Sequence, residues 1–486
     1  MYDYDVVIAG GGLGGLTCAS ILGREGLKVC VLEKNASVGG CMQTFKRNGV
    51  IIDTGMHYVG SLDEGRILNR YLRFLGIYDN LKLKRLNSDG YDIVNINDKE
   101  YPLAIGRRNF VETLSEYFPD ERNNIAKIIS EYEKIGDLIS VDNLQKSKSL
   151  SGNALKYFGI SGTRFLESNT SDKILRRVLS GSGLCGGNPE SVSLYVIATI
   201  TDSFMQGAYR FVGGSSQVTD LLADTVKKHG GRIFTGSEVT RFVVENNAIC
   251  GTEVNGIGRI TGKYYISGIH PGRTLELTDK CGAIKKAYVS RIDSLKDSYG
   301  FFTVSAVLKP ASFGYFNNNR YYSKPGDEEN NILFCASPPS DSEFAEVVHI
   351  LQPAYSDEFG AWNDTGTGQR GNEYKEFKQK KAEELIDYID KMHPGLKKSV
   401  VNYYTSTPLT YRDYTATRNG SAYGIIKDFH RPEACLHPVR YRIPNLYFTG
   451  QNLNVHGMLG TVQTAMITCA ELLGEKYLID KILRLS

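Results

Sequence analysis

The sequence predicts an α/β protein with a Rossmann-type dinucleotide-binding domain, and three observations support this. A glycine-rich turn lies between a short apolar strand and a helix at the start of the chain. A second strand, ending in an acid, follows that helix. Near the C-terminus, another strand runs into a glycine-bearing loop and a helix. The 486 residues suffice for two or three domains.

The composition is that of an ordinary globular protein, with 41% hydrophobic and 23% charged residues. The net charge is +3 and no polybasic run occurs, which argues against a nucleic-acid partner. Nine scattered cysteines without a CxxC pair predict neither disulfides nor a metal site. No apolar stretch approaches the roughly 18 residues of a membrane span, and no signal peptide is apparent. We expect a cytoplasmic protein, with peripheral contact at the inner face of a membrane left open.

The first glycine-rich turn has the context that dinucleotide binding requires. Residues 5–9 form a predicted buried strand, residues 16–23 a predicted helix, and Gly10, Gly12 and Gly15 between them have the G-x-G-x-x-G spacing. Gly10 permits a tight turn, Gly12 lets the backbone approach a pyrophosphate, and Gly15 lets the helix pack closely on the strand. The helix N-terminus would present free amides to the phosphates.

The predicted second strand, residues 28–32, ends at Glu33. An acid about 20 residues beyond the glycines is placed to accept hydrogen bonds from a ribose diol. The same glycine spacing occurs twice more, without a preceding strand, and there we predict loops: Gly181, Gly183 and Gly186, then Gly366, Gly368 and Gly371.

Two further features bear on which dinucleotide binds. The pair Gly39-Gly40 is followed by the segment DTGMHY at residues 53–58, although an ordinary turn is the simpler interpretation of that pair alone. Residues 445–450 form a predicted strand ending in glycine, followed by a loop and by a helix over 461–473. Binding by both ends of the chain suits an elongated cofactor.

These segments resemble the phytoene desaturase, carotenoid isomerase and retinol saturase flavoproteins. The resemblance rests on GGGLGGL, VLEKNASVGG, DTGMHYVG and LYFTGQNLNVHGMLGTVQTAMITCAELLG, and it covers nearly the whole chain. The wider superfamily includes amine oxidases and Rab GDP-dissociation inhibitors. The resemblance implies FAD as the cofactor and a hydrophobic polyene or isoprenoid as the substrate, through saturation, isomerisation or desaturation. Cys41 and Gln451 depart from the desaturase pattern, which favours reduction or isomerisation.

The resemblance also implies an FAD-binding domain with an inserted α+β substrate-binding domain. The FAD-binding domain would comprise residues 1–80, 205–275 and 435–486, and the substrate-binding domain residues 81–204 and 276–434. Within the latter we expect a hairpin that turns at Asn97-Asp98, and a helix over residues 373–392 whose charges face solvent. Gly213-Gly214 has two possible interpretations. It could belong to the segment in which the chain returns to the FAD-binding domain, or it could be a loop that starts a helix.

Two histidines inside the resembling motifs, His57 and His456, are the candidate catalytic residues, since histidine can exchange a proton near neutral pH. Each could instead only hydrogen-bond the flavin or the backbone. His270, His349 and the other histidines are interpreted as isolated and structural. The residues expected at the cofactor are Gly10, Gly12, Leu13, Gly14, Gly15, Glu33, Lys34, Gly39, Gly40, Gly55, Met56, His57, Val239, Gly450, Gln451, Gly457, Met458 and Leu459.

Two other functions stay open at this stage. An amine oxidase would use the same scaffold with an aromatic cage, and a non-catalytic isoprenoid-binding protein of the GDP-dissociation-inhibitor type would use it without flavin chemistry. The intact glycine fingerprint argues against the second alternative. The electron donor or acceptor is open, because no second convincing nucleotide-binding pattern is present.

Overall fold

The computed structural model describes residues 2–141, 144, 152–180, 191–324, 327–340, 342–440 and 442–485. The predicted loop at Gly181, Gly183 and Gly186 lies outside the described residues, and the segment before it is a helix, Lys173–Ser180, rather than a strand. Gly366 and Gly368 lie in a turn, as predicted, and Gly371 begins a helix.

The strands of the described residues are numbered in chain order. They are β1 Tyr4–Ala9, β2 Val29–Leu32, β3 Thr44–Arg47, β4 Val50–Asp53, β5 Leu83–Arg85, β6 Asp92–Ile96, β7 Lys99–Leu103, β8 Tyr209–Phe211, β9 Arg232–Phe234, β10 Val239–Glu245, β11 Ala248–Val254, β12 Gly258–Ile260, β13 Gly262–Ser267, β14 Gly300–Leu308, β15 Asn319–Lys324, β16 Asp327–Ala336, β17 Val347–Ala354, β18 Val400–Ser406 and β19 Leu446–Phe448.

The helices are numbered in the same way. They are α1 Leu13–Arg24, α2 Ile67–Phe74, α3 Arg107–Tyr117, α4 Arg122–Gly136, α5 Gly152–Phe158, α6 Gly162–Asn169, α7 Lys173–Ser180, α8 Leu194–Met205, α9 Ser216–Lys228, α10 Pro271–Leu277, α11 Lys286–Asp293, α12 Gly371–Met392, α13 Leu396–Ser399, α14 Pro408–Thr415, α15 Pro432–Cys435, α16 Gly457–Leu473 and α17 Glu475–Leu485. Within the described part of the chain, no helix is both long and apolar enough to cross a bilayer.

A parallel five-stranded sheet, in the order β19-β13-β1-β2-β9, forms the first layer of the structure. Its central strands are apolar runs buried on both faces, as parallel strands between helices are. Helices α1 and α16 pack together on it, with Cys18 and Cys469 each directed at the other helix's backbone. The predicted α/β fold is therefore confirmed.

A seven-stranded mixed sheet, in the order β18-β14-β17-β16-β15-β6-β7, forms the second large layer. Alternate residues of β14 face opposite sides: Phe302 and Val304 pack with the α12 side, whereas Phe301 and Thr303 face the parallel sheet's loops. The predicted hairpin is present, since β6 and β7 pair through a turn in which Asn97 and Asp98 have φ of 51° and 61°.

The strands of the two large sheets fall on opposite sides of the predicted domain division, whose boundaries stay a prediction. The largest difference from the predicted elements is at α16, which begins at Gly457 rather than at residue 461. Gly460 therefore lies inside the helix, where glycine is required because a Cβ would overlap the carbonyl oxygen of Val455.

Candidate functional site

A cavity lies at the carboxyl edge of the parallel sheet, where the loops after β1, β2, β13 and β19 meet. Gly10, Glu33, Gly268 and Gly450 line it, one from each of these loops. We call it the edge cavity. The chain leaves β1 toward β2 on one side, and β13 lies on the other, which is the arrangement that opens a ligand crevice in a doubly wound sheet.

The first glycine turn brings main chain to the wall of the edge cavity. Gly10 has φ of +99°, a conformation that favours glycine. A Cβ on Gly15 would overlap the carbonyl oxygen of Gly10, so the close packing of helix on strand needs glycine there. A Cβ on Gly12 would have only the Cα of Gly40 nearby, at 3.9 Å, and Gly12 faces the cavity. This is the geometry that binding of a pyrophosphate requires.

The second glycine pair packs directly on the first turn. The amide of Gly39 donates to the carbonyl of Gly11 at 2.8 Å, and Gly39 and Gly40 have φ of +124° and +56°. A Cβ on Gly40 would lie 3.3 Å from the Cα of Gly12. The pair is therefore more than the ordinary turn that its sequence alone suggests, because its backbone forms the wall opposite Gly12.

Glu33 is buried at the end of β2, and both its carboxylate oxygens accept backbone hydrogen bonds. Oε2 accepts from the amide of Gly11 at 2.8 Å, and Oε1 accepts from that of Asn35 at 2.9 Å. A carboxylate offers about four acceptor sites, so Glu33 keeps capacity for a ribose diol. Beside it, Lys34 donates to the carbonyl of Asp413 at 2.7 Å, and burial lowers its pKa.

The end of the chain closes the edge cavity from the other side. Gly450 follows β19 with φ of +106°, and a Cβ on Gly14 would lie 3.2 Å from its Cα and N. Gln451 donates to the carbonyl of Ala422 at 3.2 Å. Gly457 and Met458, in the first turn of α16, complete this wall with their free amide groups at the helix N-terminus.

Nearly all the residues predicted at the cofactor meet in this one cavity. Its wall contains Gly10, Gly12, Leu13, Gly14, Gly15, Glu33, Lys34, Gly39, Gly40, Gly55, Met56, Val239, Gly450, Gln451, Gly457 and Met458. His57 and Leu459 do not line it; they lie in the wall of an adjoining chamber. Contact of each residue with the cofactor stays a prediction.

The sequence interpretation missed His270 and Tyr423, which also line the edge cavity. His270 is not isolated: Nδ1 accepts from the amide of Gly272 at 3.1 Å, and Nε2 lies 3.3 Å from the carboxylate of Asp297. The signal for His270 was present, since it follows β13 and a glycine and precedes a helix. Tyr423 lies in an irregular segment between α14 and β19, where no pattern marks it.

A second, smaller chamber opens from the edge cavity between the Gly55–Met56 backbone and the start of α16. We call it the inner chamber; it has a volume of about 130 Å³. Much of its wall is apolar, from α8 and the seven-stranded sheet: Ile200, Phe204, Phe301, Leu333 and Leu351. Both predicted catalytic histidines, His57 and His456, line it. The ring of His456 lies 4.5 Å from that of Tyr423, centroid to centroid.

His57 and His349 form a buried pair behind this wall. Their ring centroids are 4.6 Å apart, and His349 is hydrogen-bonded to Ser305 through Nδ1 at 3.0 Å and to Ser337 through Nε2 at 2.9 Å. The interpretation of His349 as isolated is therefore wrong. One side of His57 faces the chamber, but its Nε2 is inaccessible and has no hydrogen-bond partner among the described residues.

Burial keeps both imidazoles neutral. It lowers the pKa of His57 to about 4, with a smaller contribution from the Arg210 guanidinium, and it lowers that of His349 well below its usual value. The expectation that His57 exchanges a proton near neutral pH therefore does not fit its surroundings. A neutral His57 suits a hydrogen-bonding role, the alternative that the sequence left open.

A buried polar network fixes Tyr58, the next residue in the chamber wall. Its hydroxyl lies 2.8 Å from that of Tyr321 and 3.2 Å from the Asp92 carboxylate. Asn319 donates to Asp92 at 2.7 Å and accepts from the fully buried Arg210 at 2.8 Å. Burial raises the pKa of Asp92 to about 7 despite these hydrogen bonds. The Tyr58 ring also stacks on Phe204, with centroids 4.3 Å apart.

The edge cavity fits FAD. The glycine-lined side next to Gly12 has room for a pyrophosphate that a Cβ would fill, and the N-termini of α1 and α16 both face it. Glu33 can accept from a ribose, and the far end of the cavity, at Gly55, Met56 and Met458, meets the inner chamber. Among the described residues, no group of three metal-ligating side chains is present.

Comparison with known proteins agrees with this geometry. All-trans-retinol 13,14-reductase from Homo sapiens is 26% identical over 98% of this chain and 86% of its own length. Prolycopene isomerase 1 from an Oncidium hybrid cultivar is 24% identical over 87% of the chain and 75% of its own length. A cofactor-binding variant of putrescine oxidase superposes with a TM-score of 0.67 at 15% identity, over 97% of this chain and 98% of that one, which shows a shared fold.

The doubly wound sheet, the glycine-lined edge cavity and the apolar chamber beside it define the class of FAD-dependent oxidoreductases. Within that class, the chain belongs to the flavin containing amine oxidoreductase family, whose model matches residues 13–306. The chain is therefore an enzyme rather than a non-catalytic isoprenoid-binding protein.

Proposed function

We propose that this enzyme acts on carbon–carbon double bonds of a hydrophobic polyene or isoprenoid, by saturation, isomerisation or desaturation. The observation that carries the proposal is the inner chamber, which meets the edge cavity and is walled mainly by aliphatic and aromatic side chains. Cys41 and Gln451 favour the first two reactions over desaturation. The two relatives support the substrate class, since one is named for retinol and the other for prolycopene.

An amine is a poorer candidate for the inner chamber. Among the described residues that line it there is no carboxylate, so an ammonium group would enter without a charged partner. The structural likeness to putrescine oxidase concerns the fold alone.

When bound, FAD would supply hydride exchange with a substrate carbon. The residues of the chain supply the surroundings. The apolar walls exclude water, and Tyr58, held by Asp92 and Tyr321, keeps one wall rigid. His57 is a neutral hydrogen-bonding group, which leaves His456, at the start of α16, as the stronger candidate for holding the proton that saturation needs.

A substrate this apolar dissolves in lipid. The proposal therefore includes a cytoplasmic protein that contacts the inner face of the membrane to collect it.

The test is an anaerobic panel of carotenoids, retinoids and unsaturated lipids, with putrescine as the amine control. Flavin absorbance is followed in both redox directions, and the products are separated by chromatography, because an isomerase causes no net redox change. We expect at least one polyene to be converted and no peroxide to form with the amine. Peroxide production with the amine and no converted polyene would contradict the proposal.

A further inference from the structure

A third space adjoins the edge cavity on the side of Gly40 and Cys41. We call it the outer chamber; its volume is about 640 Å³, within the range of small-molecule sites. It lies between the β3–β4 hairpin, the β14–β18 edge of the seven-stranded sheet and α14. Its lining differs from that of the inner chamber because most of its lining residues carry a hydroxyl group, among them Thr44, Thr303, Tyr403, Tyr404, Ser406 and Tyr414.

Lys378 of α12 reaches the wall of this chamber as a half-buried ammonium group. It has no hydrogen bond and no carboxylate within ion-pair distance among the described residues, and its Nζ lies 5.1 Å from the centroid of the Tyr374 ring. Burial lowers its pKa, and the nearby Arg370 lowers it further. The expectation that the charges of this helix only face solvent is therefore wrong for Lys378.

The other charged groups of the chamber do not neutralise Lys378. Arg47 adds a second cation at the wall. Asp53 also lines the chamber, but its Oδ1 accepts from both the amide and the hydroxyl of Ser215, at 2.8 and 2.6 Å, and burial raises its pKa to about 6. An unpaired cation among hydroxyl groups in a partly enclosed space is stabilised by an anion that fills the space.

We propose that the outer chamber is a binding site for an organic ligand that presents an oxyanion, carboxylate or phosphate, to Lys378, with its remaining polar groups on the surrounding hydroxyls. The site lies against the part of the edge cavity formed by Gly40 and Cys41, and it shares no lining residue with the inner chamber. The inference goes beyond the polyene proposal and does not depend on it.

Titration calorimetry on the flavin-loaded protein tests the proposal with two probes. ADP-ribose carries phosphates, decanoate carries a carboxylate, and decanol is the uncharged match to decanoate. We expect one of the two anions to bind and its affinity to fall about tenfold or more in Lys378→Met, as loss of a charge-assisted hydrogen bond does. Lys375→Met, an exposed lysine of the same helix that does not line the chamber, is the control and should bind as the wild type does.

The anion that binds identifies the source of the oxyanion. The proposal is overturned if neither anion binds, if Lys378→Met binds it unchanged, or if decanol binds as tightly as decanoate. A second measurement uses the wild-type protein, so the proposal can be tested even if Lys378→Met folds poorly. Acetic anhydride labelling of Lys378, read by peptide mass spectrometry, should fall when the probe is bound while labelling of Lys375 does not. Unchanged labelling of Lys378 with the probe bound would also overturn it.

Discussion

The edge cavity and the inner chamber share a boundary but differ in the kinds of residue that line them. The wall of the edge cavity includes ten glycines, several of them from loops at the ends of four parallel strands. The inner chamber is walled by side chains of segments far apart in sequence, such as Phe204, Phe301 and Leu351. Main chain can approach a ligand only where side chains are absent, so the first region constrains residue type tightly and the second constrains only volume and polarity.

The largest expected effect is at Gly12. Gly12→Val puts a side chain into the space where the pyrophosphate fits, so we expect FAD affinity to fall at least about hundredfold while the fold is retained. Flavin absorbance of the purified protein and thermal unfolding measure the two properties. Gly314→Val is the control, because a Cβ there meets nothing within 4 Å. A fully flavinated Gly12→Val protein would contradict the claim that the edge cavity constrains residue type more tightly than the inner chamber does.

The second prediction concerns the side-chain network behind the inner chamber. The pKa of the Asp92 carboxyl is about 7 in the folded protein, against 3.8 for an ordinary aspartate, so the contribution of Asp92 to the free energy of unfolding should fall as pH rises from about 4 to 7. Asp92→Asn should remove up to about 4 kcal/mol of that fall. Urea unfolding at several pH values measures it, with the exposed Asp89→Asn as control. Equal pH slopes in both variants would contradict a buried, protonated Asp92.

A smaller effect is expected at His57. Loss of one hydrogen-bonding group from the chamber wall in His57→Ala should leave FAD bound and slow substrate turnover about tenfold. Because the pKa of His57 is held to about 4, the pH profile between 6 and 8 should keep its shape. Ile350→Val, on the opposite face of β17, controls for packing. Unchanged turnover would exclude His57 from the site, and a displaced pH profile would restore it as the proton donor.

The smallest predicted effect is at Ser337, which positions His349 behind His57. Ser337→Ala leaves the buried Nε2 of His349 without its partner and should lower the free energy of unfolding by about 1 kcal/mol. Thermal unfolding measures this, and the exposed Ser340→Ala is the control. A variant as stable as the wild type would contradict a stabilising hydrogen bond between Ser337 and His349.

The same difference in lining residues explains what could be predicted from the sequence. The glycines of the edge cavity were readable because Gly10 and Gly15 have conformations or contacts that other residues do not tolerate. The two chambers could not be predicted from the sequence. Leu351 and Thr303 look like any other strand residues until the pairing of β14 with β17 determines which face of the sheet each side chain is on. Lys378 was missed for the same reason: helical periodicity marks it as polar and says nothing of the cavity it meets.

The close approach of Gly14 to Gly450 joins the first helix to a loop near the end of the chain. During synthesis on the ribosome, the nascent polypeptide therefore lacks the side of the cavity wall formed by Gly450, Gly457 and Met458 until residues 446–473 have emerged. We therefore expect flavin to bind only after that stretch has emerged, and ribosome stalling before it should yield a colourless intermediate.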